Sequence, residues 1–108
     1  MKSINVPMFA LVTALAVVLT LSLSAQAQSG ADTFKSKCVA CHAPDGTGSA
    51  VGKKMGAHDF TTAEVQKMSD AELTEVITNG KNKMPKYADK LKPEEVKGLV
   101  AYIRTLKK

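Results

Sequence analysis

Two thiols and an imidazole stand together in Cys38-Val39-Ala40-Cys41-His42, and the 108-residue chain has no other cysteine. The C-x-x-C-H spacing is that of a c-type haem attachment site. Two thiols must reach two vinyl groups on one edge of a porphyrin, so their separation has to be short and fixed. The residue behind the second thiol can then lie beneath the ring and offer a nitrogen to the iron. A redox disulfide of the thioredoxin type needs no histidine here and usually sits in a βαβ pattern, which this sequence lacks. The motif therefore assigns Cys38 and Cys41 to thioether bonds and His42 to the iron, with one haem c per chain.

A haem with one histidine ligand stays open for catalysis or gas binding, or takes a second protein ligand and carries electrons. Four residues are candidates: Met55, His58, Met68 and Met84. Met68 fits the apolar face of Val65 and reads as core, while Met55 and His58 lie in a glycine-rich loop. Met84 follows the helix stop Asn79-Gly80, and Pro85 restricts it to extended backbone. That arrangement can turn a thioether toward iron while the chain crosses the ring face. A lone methionine is often only a gap-filler, so spacing alone leaves the choice open.

The elements around these residues read as helices. Ser29 is a candidate cap, and Gly30, Phe34 and Cys38 recur at i, i+4, i+8 on the helix it would open. From Ala43 to Phe60 the chain is loop-like, with four glycines. Gly46 to Lys54 superficially suggests a phosphate loop, but the glycine spacing is wrong and Lys54 stands where a hydroxyl residue is needed. Thr61-Thr62-Ala63-Glu64 and Ser69-Asp70-Ala71-Glu72 are both capping boxes, the second opening a helix that carries Leu73, Val76 and Ile77 on one face. Pro93 at a first helical position begins the last helix, with Lys92 a poor cap before it. Val96, Leu99, Val100, Ile103 and Leu106 form that helix's apolar face. Gly98 in its middle costs about 1 kcal/mol against alanine, so a close approach there would explain it. With no convincing strand and no repeat, the fold class is all-α.

Residues 1–27 read as a secretory leader. Lys2 is a short positive start, Met8–Leu23 is a charge-free apolar run, and Ala25-Gln26-Ala27 matches a small-x-small cleavage site. As a helix the apolar run would rise only about 24 Å, short of a hydrocarbon core of roughly 30 Å. Cleavage would leave 28–108 as one exported, soluble domain, in the periplasm or another space outside the cytoplasm, with no membrane span. A chain with no Trp, two Tyr and three Phe has little from which to build a core, and a covalently held haem would fill its centre. Removing Lys2 from the 15 basic residues leaves 14 against 10 acidic ones, a formal +4. Lys35, Lys37, Lys53, Lys54, Lys81, Lys83 and Lys86 flank the motif, the loop and Met84. Charge alone reads these lysines first as a solvated surface, and second as a basic rim for redox proteins with acidic docking surfaces. No aromatic residues interleave the lysines, which argues against nucleic acid.

Taken together, residues 30–106 resemble the class I c-type cytochromes, especially the short soluble monohaem ones. The resemblance rests on Gly30-x-x-x-Phe34-x-x-x-Cys38-x-x-Cys41-His42, on Asn79-Gly80-Lys81-Asn82-Lys83-Met84-Pro85, and on Leu99-Val100-Ala101-Tyr102-Ile103. It implies a cytochrome c-like fold of about four helices around one haem, with His42 proximal and Met84 distal on the iron. It also implies that Gly30 and Phe34 pack near Leu99 and Tyr102, where the first helix crosses the last. The function implied is single-electron transfer by a monomer, not enzymatic turnover. The competing reading is an open-site peroxidase or small-gas sensor in which Met84 is merely packed. The family's indole contact to a propionate is missing, with Tyr87 or loop amides as substitutes.

Overall fold

The computed structural model describes Ser3 and residues 25–108, and its regular secondary structure is helical. Helix α1 covers 25–37, followed by α2 (Val39–His42), α3 (Ala50–Lys54), α4 (Ala63–Gln66), α5 (Asp70–Asn79) and α6 (Pro93–Thr105). Among the described residues the only β feature is an isolated antiparallel bridge between Lys81 and Met84. The all-α expectation holds, with α2, α3 and α4 each only four or five residues long. The apolar run assigned to a leader lies outside the described residues; 25–27 already belong to α1.

That start corrects the expected cap. Ala25-Gln26-Ala27-Gln28 has good helix propensity, so the helix runs back past Ser29. Ser29 sits inside it, and its carbonyl accepts the Thr33 hydroxyl at 3.2 Å. Helix α5 begins as its sequence dictates. Ser69 Oγ accepts the Glu72 N–H at 3.1 Å, and Glu72 Oε2 accepts the Ser69 N–H at 2.7 Å. The box expected at Thr61–Glu64 does not form. Asp59 captures the Thr61 hydroxyl at 2.6 Å, and Thr62 caps α4 without a side-chain bond. Glu95 compensates for the poor cap at Lys92 by accepting the Lys92 N–H at 3.1 Å.

The core is built where α1, α5 and α6 meet, with Phe34 and Leu99 its most deeply buried side chains. Gly30 lets α1 and α6 touch backbone to backbone. A β-carbon on Gly30 would stand 1.9 Å from the Gly98 carbonyl oxygen. Phe34, one turn on, packs its ring 5.1 Å from that of Tyr102. The crossing implied by the resemblance is therefore present. Arg104 fastens α6 to the α4–α5 junction. Its guanidinium donates to the Gln66 and Met68 carbonyls and to Asp70 Oδ1. No helix among the described residues is long and apolar enough to cross a membrane.

Candidate haem site

The end of α1, the turn α2, the segment after α5 and the inner face of α6 enclose one narrow cleft. Phe34, Cys38 and His42 line it from one side of the sequence, and Ile77, Met84 and Tyr87 from the other. Leu91, Leu99 and Ile103 complete the wall with Phe60, and no carboxylate or lysine lines it. Residues 42 positions apart, His42 and Met84, thus share one pocket.

Local backbone geometry sets the attachment turn. The Cys38 carbonyl accepts the N–H groups of Cys41 (3.2 Å) and His42 (2.9 Å), closing a single turn that places Cys38 and His42 on the cleft. Cys41 is half-buried but does not line the cleft. Helix α3 packs behind it, where the sequence reading has only loop. Ser49 caps α3 by accepting the Gly52 N–H at 2.9 Å, and its own N–H donates to the Cys41 carbonyl at 3.0 Å. A β-carbon on Gly52 would stand 1.7 Å from that same carbonyl oxygen. Gly52 is therefore a site-building residue that the sequence reading passed over; its one signal is a glycine inside a capped helical turn.

Burial governs the chemistry of the donors. No disulfide joins Cys38 to Cys41. Burial pushes the Cys38 thiol up to about 11, against the opposing pull of Lys37. Burial also lowers His42 below the usual histidine range, which favours the neutral imidazole that a metal requires. Phe60 stacks on that imidazole, with ring centroids 4.6 Å apart and an interplanar angle of 26°. Gln66 steadies this end of the loop by donating to the carbonyls of Phe60 (2.7 Å) and Ile103 (2.9 Å). Phe60 was absent from the expected site; a lone aromatic closing a glycine-rich loop was its only sequence mark.

Of the four candidates for a second ligand, Met84 alone lines the cleft. Met55 is 40 % exposed on the outer surface. His58 is exposed and faces Glu64, Nδ1 to Oε1 at 3.6 Å. Met68 packs against the core, as its spacing predicts. A tight turn holds Met84, the Lys81 and Met84 N–H groups each donating to the other's carbonyl at 3.2 and 2.9 Å. Asn82 takes the left-handed conformation this turn needs, φ 54°. Gly80, at φ 75°, leaves room for the Met84 carbonyl, which would stand 2.6 Å from a β-carbon there.

The comparisons agree with this architecture. Residues 25–103 match the family model described as cytochrome c oxidase, cbb3-type, subunit III. The chain belongs to the class I c-type cytochromes. It is 36 % identical to the cytochrome c6 of Bryopsis maxima over 68 % of this chain and 84 % of that one. Identity to the cytochrome c6 of Anabaena variabilis is 34 %, over 73 % and 90 % of the two chains. Among solved structures, the KustC0563 c-type cytochrome superposes with a TM-score of 0.70 at 40 % identity, covering 73 % of this chain and 98 % of that one.

Membership in this family implies covalently bound haem c, and the cleft fits such a group. Its donors are thiol, thioether and neutral imidazole, with no carboxylate in the lining, a set suited to haem iron. His42 Nδ1 is buried without a hydrogen-bond partner among the described residues. A buried imidazole nitrogen beside the Cys38 thiol in this cleft calls for a partner, and a haem iron would supply it.

Proposed function

We propose that this c-type cytochrome is an exported electron carrier whose haem is joined by thioethers to Cys38 and Cys41. His42 and Met84 serve as the two iron ligands in this reading. The observation that carries it is the convergence of Cys38, His42 and Met84 on one cleft from segments some 42 residues apart. When bound, the haem supplies a one-electron ferric–ferrous couple, which a methionine ligand shifts toward the ferrous state.

The chain's own residues do the rest. Phe60 braces the His42 ring from one face, and the Lys81–Met84 turn fixes the thioether's approach. A ligand set held this firmly changes little between oxidation states, which keeps the cost of reorganisation small. Phe34, Ile77, Leu91, Leu99 and Ile103 keep water from the wall and lower the local dielectric. No residue is assigned to the turnover of a substrate.

Partner recognition is assigned to the lysine rim. Lys35, Lys37, Lys53, Lys54, Lys81, Lys83 and Lys86 are all exposed. Among the described residues, no lysine forms an ion pair with a carboxylate. Their charge is left to steer an acidic redox protein toward a monomeric carrier. Residues 1–27 are assigned to a leader removed on export, leaving 28–108 as the working domain.

Visible spectra of the purified protein in both oxidation states, with carbon monoxide added to the reduced form, test the site. The proposal expects haem bands of a six-coordinate protein and no carbon monoxide complex. Ready binding by the wild type would favour an open-site sensor or peroxidase, and absence of haem bands would end both readings. Rates with an acidic redox protein should fall as salt rises; rates indifferent to salt would remove the steering role.

A further inference from the structure

Tyr87 joins three separate parts of the chain. Its N–H donates to the carbonyls of Ile77 (3.1 Å) and Thr78 (3.2 Å) in the last turn of α5. Its ring lines the same cleft as Met84 and carries Lys90 Nζ 5.4 Å from the centroid. Its hydroxyl donates to the Lys37 carbonyl at 3.3 Å, a contact between residues 50 apart in sequence. Lys37 is the residue immediately before Cys38.

The segment carrying Met84 has few other ties. Between Lys81 and Met84 its backbone is bonded to itself, Pro85 has no N–H to give, and Lys81, Asn82, Lys83, Pro85 and Lys86 are exposed. The Tyr87 amide fastens the segment to α5 alone. The hydroxyl is the contact that reaches α1 and the attachment motif.

We propose that Tyr87 is a positioning residue, whose hydroxyl latches the 81–87 segment to the end of α1 and so keeps the Met84 thioether in the cleft. This rests on Met84 being the second iron ligand. A phenylalanine keeps the ring packing and the backbone bonds but releases the latch. Losing one hydrogen bond of ordinary strength corresponds to roughly two- to tenfold in the equilibrium between Met84 held and Met84 displaced.

The test is a titration of the oxidised, haem-loaded protein with imidazole, followed by visible absorbance, in wild type, Tyr87→Phe and Met84→Ala. The latch requires wild type to bind imidazole weakly, Met84→Ala much more tightly, and Tyr87→Phe about two- to tenfold more tightly than wild type, with haem content unchanged. A Tyr87→Phe protein that melts earlier yet binds imidazole as wild type does would make the hydroxyl a plain structural tie and overturn the latch. Equal affinities in wild type and Met84→Ala would overturn the Met84 assignment itself, and the latch with it.

Discussion

Gly30 faces the Gly98 carbonyl so closely that a β-carbon on it would stand 1.9 Å from the oxygen, but the relationship is not symmetrical. In the working domain a β-carbon on Gly98 would meet the Gly30 nitrogen at 3.4 Å and the Gly30 α-carbon at 3.6 Å, and the Gln26 carbonyl oxygen at 3.1 Å only while the leader is attached. Gly30→Ala must therefore push α1 and α6 apart, at about 2–3 kcal/mol, as overpacking in a tight core does. Gly98→Ala recovers about 1 kcal/mol of helix propensity against a contact that needs only a small shift, so its net effect should be close to zero. Denaturant unfolding of the two variants decides this, and equal losses would contradict the asymmetry.

Arg104 serves two backbone carbonyls, those of Gln66 and Met68, as well as the Asp70 carboxylate. Asp70 is largely exposed, and an ion pair in such surroundings contributes little. Arg104→Ala leaves two carbonyls without their donor and should cost about 2–3 kcal/mol. Asp70→Ala should cost only a fraction of that. Thermal unfolding of both compares carbonyl capture directly with charge pairing.

Met84→Ala leaves the attachment turn untouched while removing the thioether from the cleft. The haem content should stay at one per chain, measured by alkaline pyridine spectra. The reduction potential should fall, by on the order of 100 mV within the roughly 0.8 V range that axial ligands span. The reduced variant should bind carbon monoxide, unlike the wild type. An unchanged potential would remove Met84 from the iron.

Asp59 links stability to acid. Its Oδ1 accepts the Thr61 hydroxyl at 2.6 Å and the Thr61 N–H at 2.8 Å, which hold its carboxyl below the usual range, the hydroxyl contributing most. A carboxyl lowered in the folded state adds stability that is complete above its ordinary value near 4 and is lost as pH falls through the lowered one. Wild type should therefore be more stable than Asp59→Asn at neutral pH. The gap should start to close below about pH 4. Urea midpoints measured across pH 2–7 follow it; a gap independent of pH would mean that the charge is not what stabilises the turn.

What could be read from the sequence was what depends on neighbours along the chain. The Cys38–His42 spacing, the Ser69–Glu72 box and the apolar face of α6 are local patterns, and each reappears as a structural element. Gly30 and Gly98 could be suspected because glycine is costly inside a helix. The misreadings came from competition and long-range approach. Asp59 outbids the helix for the Thr61 hydroxyl, so a good capping sequence goes unused. Gly52 matters only because the Cys41 backbone comes against it, a contact that no spacing rule within 43–60 reveals. Phe60 likewise becomes a site residue only when the loop folds back over His42. The Tyr87 hydroxyl also meets the Lys37 carbonyl across 50 residues of sequence, a contact without a local signal.

The largely apolar lining of the cleft has a consequence for protons. No carboxylate stands in its wall, and burial raises Tyr87, so its phenol keeps its proton well past neutrality. If the His42 ring is given to the iron, as proposed, these side chains offer no group that would gain or lose a proton near neutral pH when an electron arrives. In the proposed carrier the wall of this cleft would therefore let the electron pass without lending or taking a hydrogen ion.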